Sequence, residues 1–281
     1  MKFNLTSIKR LVLLVGVMLF FIPQSLVAQK QKPQNLRLYD EQPYHFGFIV
    51  ALNRMSYSID YKEDYQNILF QFTDHPNLSS DYNPVTVDRV SGETGYVFDD
   101  ETLLFYNRCL EGLPSVGFTV GVVGNLRLGK YFDLRLIPSL SFGTKVITYQ
   151  YSVIKNEDFQ NPKYFTESSS VLTTIMEFPL HVKYRSKRYN NTAAYIIAGG
   201  NPKIDFSFIY NHDKHRIQAK AFDFAAEIGA GFDFYTGYFK MGVEAKMSFG
   251  LLNVLNQKNN QFDASINGLK NNMFQLSLTF E

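Results

Sequence analysis

The sequence has one cysteine and no tryptophan. A lone thiol, Cys109, excludes an internal disulfide and a thiol tetrad for zinc. No stretch supplies the roughly 20 consecutive apolar residues that a membrane-spanning helix needs, and mean hydropathy is only −0.16. Charged residues make up 19 %, against about 25 % in ordinary soluble domains. Basic excess is also missing. The formal charge is +2, and Lys2, Lys9 and Arg10 of a leader segment account for three positive charges, leaving −1. That gives no electrostatic footprint for nucleic acid.

What is present begins with that leader. Residues 1–28 carry a positive start, an apolar run from Leu11 to Ile22, and Ala28-Gln29 as a cleavage site. This is the layout of a secretory signal, and the apolar run is too short for an anchor. Residues 29–43 are polar, with Pro33 and Pro43, and read as a mobile periplasmic lead-in.

The chain is organised around Ala221 to Leu252, where apolar and polar residues alternate on both sides of Thr236-Gly237. A period of two is a strand signal, because successive side chains point to opposite faces. One face carries Phe222, Phe224, Phe232 and Phe234, then Phe239, Met241, Val243 and Phe249. The other carries Asp223, Glu227 and Asp233, then Lys240, Glu244 and Lys246. Folded symmetrically about the turn, Asp233 faces Lys240 and Glu227 faces Lys246. Each arm is about 14 residues, against a usual strand of roughly 5–6. A long hairpin with one apolar face and one charged, glycine-rich face fits a transmembrane β-barrel, with lipid outside and polar residues within.

Alternation recurs along the chain. The first strand is expected over Tyr44–Tyr57, with Phe46, Phe48, Val50 and Leu52 on one face. The second alternates Val116, Phe118, Val120 and Val122 with Gly117, Thr119 and Gly121. The third sets Leu134, Leu136, Leu140 and Phe142 against Arg135, Ser139, Ser141 and Lys145. The fourth, Ser170 to Arg185, sets Leu172, Leu180, Val182 and Tyr184 against Glu177, His181, Lys183 and Arg185. The fifth is expected over Thr192–Tyr210, where Pro202 implies a bulge or an edge. The hairpin supplies two more. Met273–Glu281 is the last, with Phe274, Leu276, Leu278 and Phe280 facing lipid.

The expected fold is therefore all-β: an eight-stranded antiparallel outer-membrane barrel over 44–281. Connections near Gly129, Ser186 and Thr236 are short, and those over 58–112, 151–169 and 253–272 are long. Outer-membrane barrels pair short periplasmic turns with long outer loops, which puts both termini in the periplasm. Arg135, Lys145, Glu177, Lys183, Asp223, Glu227, Asp233, Lys240, Glu244 and Lys246 all project inward by parity. Eight strands enclose a lumen that side chains fill, so these charges form a paired network that closes it.

The motifs Gly117-Phe-Thr-Val-Gly121, Leu126-Arg-Leu128, Phe132-Asp-Leu-Arg135, Leu136-Ile-Pro-Ser-Leu140-Ser-Phe142, Glu177-Phe-Pro-Leu180 and Lys183-Tyr184 carry a resemblance. Over about Tyr44 to Phe280 the chain resembles the PorT family of eight-stranded outer-membrane proteins of Bacteroidetes. The resemblance implies a part in type IX secretion, which exports proteins with a C-terminal sorting domain, and in gliding motility in some species. It brings no catalytic motif and no cofactor, and implies other type IX secretion components as partners beside outer-membrane lipid.

Other chemistry has weaker support. His212-Asp213-Lys214-His215 lacks a third or fourth metal ligand nearby. Asp99-Asp100-Glu101 lacks the spacing of a calcium loop. A lipid-modifying hydrolase would need His181 beside Ser139, Ser141 or Ser248. An adhesin would use the acidic segment Ser58–Gly112. The expectation is a non-enzymatic protein without metal.

Overall fold

Every long strand of this chain is two-faced, so no single sheet face can be buried except by closing the sheet on itself. The computed structural model describes residues 33–63, 69–71, 104–154, 163–210, 217–257 and 265–281. Within them lie β1 (Tyr44–Tyr61), β2 (Leu69–Gln71), β3 (Leu104–Leu113), β4 (Ser115–Arg127), β5 (Phe132–Leu136) and β6 (Ser139–Ile154). There follow β7 (Lys163–Glu177), β8 (Leu180–Arg185), β9 (Thr192–Asp205), β10 (Phe222–Tyr235), β11 (Lys240–Gly250) and β12 (Ile266–Phe280). Asn35–Glu281 is one compact unit.

The described residues hold twelve strands where the sequence pattern suggests eight; prolines account for three of the four extra strands, and the short β2 is the fourth. Pro114 separates β3 from β4, Pro138 separates β5 from β6, and Pro179 separates β7 from β8. Proline has no N–H for the ladder, so regular pairing stops there. The carbonyls still serve. Val122 N–H donates to Pro138 O at 3.0 Å, Ile137 N–H to Pro179 O at 3.1 Å, and Phe178 N–H to Pro202 O at 3.1 Å. The breaks thus step across neighbouring staves without opening the wall. β9 shows neither the bulge nor the edge that Pro202 suggests, because its register with β10 runs on through Phe224↔Pro202. Its N-less side abuts the break between β7 and β8.

Joined across their prolines, the strands make eight staves. All neighbours are antiparallel, and the ring closes as β1–β4–β5–β8–β9–β10–β11–β12 and back to β1. Both ends of the barrel chain, Tyr44 and Phe280, lie at the end that carries the three short turns. β3, β6 and β7 run past the opposite rim, and β2 pairs with β3 there.

Several expected loops are strand at their ends. β1 continues to Tyr61, β6 to Ile154, β7 begins at Lys163 and β12 at Ile266. These extensions are rich in Ser, Thr and Asn on both faces, so no apolar stripe discloses the period. The fifth strand stops at Asp205, short of Tyr210. Asp205 Oδ1 accepts the Ser207 N–H at 3.1 Å and also the Ser207 hydroxyl, which turns the chain into a short helix, Ser207–Tyr210.

Candidate functional site: a filled and capped lumen

Parity sorts the side chains as the alternation requires. Phe222, Phe224, Phe232, Phe234, Phe239, Phe249, Phe274, Leu276 and Leu278 are exposed on the outer wall, and Met241, Val243 and Phe280 are half-buried there. Phe48 and Phe280 stack with centroids 5.0 Å apart. The ten interior charges are all buried, from Arg135 at 0 % to Lys246 at 5 %.

Their partners differ in part from the expected ones. The hairpin turn is four residues long, Thr236–Phe239, closed by Thr236 N–H to Phe239 O at 3.0 Å. It is not the two-residue Thr236-Gly237, so the register moves by two: Tyr235 faces Lys240, Asp233 faces Gly242 and Gly229 faces Lys246. A shift of two preserves the faces but changes every partner. Glu227 still meets Lys246, diagonally, at 2.8 Å. Asp233 does not pair with Lys240. It takes Lys183 of β8 at 2.7 Å, and Lys240 takes Glu281 at 2.6 Å.

The other contacts join inner-facing side chains, several of them from staves that are not neighbours. Arg135 of β5 meets Glu244 of β11 at 2.7 Å, and Tyr195 donates to the same carboxylate at 3.0 Å. His181 sits 2.7 Å from Glu227. Asn201 donates to Glu177 at 2.7 Å and to Glu227 at 2.8 Å. Lys203 donates to Ser248 at 2.7 Å. Lys145 pairs with Asp205 at 3.0 Å and donates to Asn271, which in turn donates to Asp223 at 3.0 Å. Buried charges are tolerated only when paired in this way.

Tyr195, Asn201, Lys203, Asp205 and Glu281 were not legible as members of this network. The Gly199-Gly200-Asn201-Pro202 segment hides the period of β9, and Glu281 follows the last alternating pair. Two of the three serines that a hydrolase would need have other partners. Ser141 bonds to Thr119 at 2.7 Å and to Glu177, while Ser248 accepts from Lys203. Among the described residues no group of His, Cys, Asp and Glu could hold a metal ion. Asp99-Asp100-Glu101 and His212 to His215 lie outside the described residues.

Both ends of the lumen are covered. At the long-loop end an apolar layer joins Tyr57, Ile147, Val171, Phe208, Ile217, Val254, Leu255, Ile266 and Leu269. At the short-turn end the lead-in from Asn35 on, expected to be mobile, is a strap across the mouth. Tyr39 stacks on His45 at 3.8 Å and donates to Glu281 at 3.1 Å. Asp40 accepts from Arg185, and Asn35 donates to Asn191 and to Tyr235 O. Apart from His45, these partners are 145 to 242 residues away in sequence, which is why the lead-in looks unattached when read alone.

Among the described residues such an interior offers hydrogen bonds and charge pairs. No curated protein matches the chain. Residues 89–256 match the family model described as outer membrane protein beta-barrel domain. With a closed antiparallel ring, an apolar outer wall and a charged interior, the chain belongs to the family of outer-membrane β-barrel domains.

Proposed function

We propose that this outer-membrane barrel is a non-enzymatic component or assembly factor of type IX secretion, working through contacts with other proteins. The observation that carries the reading is the lumen, filled by paired side chains and covered at both ends. A ring of eight staves is just wide enough for side chains, so an exported protein has no room to pass. The work of such a barrel falls to its rims and loops. The resemblance of Gly117–Gly121, Phe132–Phe142 and Glu177–Leu180 to the PorT family supplies the process, with gliding motility in some species. Both termini and the three short turns are assigned to the periplasm, and the partners are lipid on the wall and other secretion components at the rims.

The test has two arms. The purified protein in planar bilayers is expected to show no stable, large conductance. A deletion strain is expected to lose secretion of proteins carrying the C-terminal sorting domain. Porin-sized channels remove the sealed-barrel half of the reading. Normal secretion in the deletion strain removes the other half, and activity of the pure barrel on lipid A replaces it with an enzyme.

A further inference from the structure

We propose that the short-turn mouth is a docking site for an acidic peptide turn, and that Tyr39-Asp40, in the 3-10 turn Tyr39–Glu41 of the strap, occupies it as a tethered stand-in. This rests on the reading that the protein works through protein contacts, and it names the chemistry of one partner.

The site is built around a carboxylate. Arg127 at the end of β4, Arg185 at the end of β8 and Arg188 in the following turn converge on Asp40. Arg185 donates to it, Arg188 lies 3.7 Å away and Arg127 3.9 Å. One carboxylate does not balance three guanidinium groups. Asp133 lies 3.8 Å from Arg185. Arg127 Nη1 is buried and makes no hydrogen bond. Exposed Lys130 and Lys187 on the two adjoining turns add to the positive field. The mouth therefore has anion-binding capacity that Asp40 alone does not use.

Beside the arginines is a slot for a ring. Tyr39 lies flat on His45, edge-on to Tyr235 at 5.9 Å, with Lys240 Nζ 4.9 Å from its centroid. The backbone is read too: the Asn35 N–H donates to Asn191 at 2.8 Å, and Arg188 donates to Asn35 O. A ring beside a carboxylate on a recognised backbone specifies a peptide, whereas a lipid phosphate would use the arginines only.

The strap is held in a way that permits exchange. None of Tyr39–Glu41 is buried, and Leu38 is 68 % exposed. Leu36 has φ 48, a left-handed conformation that a branched side chain adopts at a cost. Polar and aromatic contacts, with Leu36 and Tyr39 only half-buried, make a segment of low local stability. A partner with an aromatic residue next to acids can replace every contact that the strap gives up.

The test uses the full chain carrying Tyr39→Ser and Asp40→Ala, which clears the ring slot and the arginine cluster and leaves the barrel strands unchanged. The probe is a fluorescent peptide with the sequence of Asn35–Gln42, followed by anisotropy. Saturable binding to the double variant is expected, at least about 10-fold tighter than to wild type, because a tethered competitor acts at millimolar effective concentration. Exchanging the peptide's aspartate for asparagine, or adding Arg188→Gln to the protein, should weaken binding by about 10-fold or more. Equal binding to wild type and double variant overturns the proposal. So does no binding to a double variant that still shows the gel shift of a folded barrel. Tight, aspartate-dependent binding alongside normal secretion in the deletion strain would leave the site standing and remove the secretion reading.

Discussion

Lys246 and Glu227 meet at 2.8 Å although they do not face each other across the ladder, where Lys246 is opposite Gly229. Glu227 is also held by His181 at 2.7 Å and Asn201 at 2.8 Å, so one carboxylate ties β8, β9, β10 and β11 together.

Lys246→Ala should lower the Tm of the purified barrel. Breaking a dry buried pair costs about 3–5 kcal/mol, and His181 and Asn201 keep the loss toward or below the lower figure. Glu227→Ala added to it should recover part of the loss. Thermal melts of the two single variants and the double variant measure the coupling, and strictly additive losses would show that the pair is not coupled.

Val243→Arg and Leu276→Arg place a charge on the outer wall. Each should cost roughly 2–4 kcal/mol near mid-membrane, seen as a lower yield of folded, heat-modifiable protein. Glu244→Gln faces inward and should still insert, with a reduced Tm because Arg135 loses its charged partner at 2.7 Å. Equal loss of folded protein in all three variants would contradict the face assignment.

Gly231→Ala tests the packing around Tyr195. A Cβ at 231 would lie 2.6 Å from the Tyr195 hydroxyl and press on the Val243 carbonyl. Tyr195 must then move away from Glu244, and overpacking of this kind costs about 1–3 kcal/mol. Denaturant unfolding of the variant reads the cost, and an unchanged midpoint would mean that the ring moves aside freely.

Acid should release the strap. Burial alone would raise the Asp40 carboxyl, but the hydrogen bond and charge of Arg185, with Arg127 and Arg188 behind, hold it below its ordinary value. A depressed acid stabilises docking above its free value, about 3.9, and that contribution fades as pH falls from there through the docked value. Hydrogen-exchange protection at Asn35–Gln42, taken relative to the intrinsic rate at each pH, should therefore fall below about pH 4, while β10 and β11 stay protected. Asp40→Asn should abolish the pH step.

Orientation is open to a direct check. A tag placed before Asn35 should be shielded in intact cells, and protease added outside should cut within 72–103 before it cuts Thr236–Phe239. A tag reached from outside would invert the barrel.

Period-two alternation by itself determined the architecture and which face each residue takes. Phe232 against Asp233 and Val243 against Glu244 are legible because parity survives any slip of two residues. It did not determine partners. Asp233 takes Lys183 rather than Lys240 because the turn is four residues long and because β8 and β10 both flank β9, so that their inward side chains meet over it. The prolines that cut three staves were visible, yet only the stepped carbonyl bonds of Pro138, Pro179 and Pro202 show why the wall stays closed. The strap was beyond reach for the same reason. Tyr39 and Asp40 are ordinary polar-segment residues until the folded ring assembles Arg185, Tyr235 and Glu281, each more than 140 positions away, into a mouth that receives them.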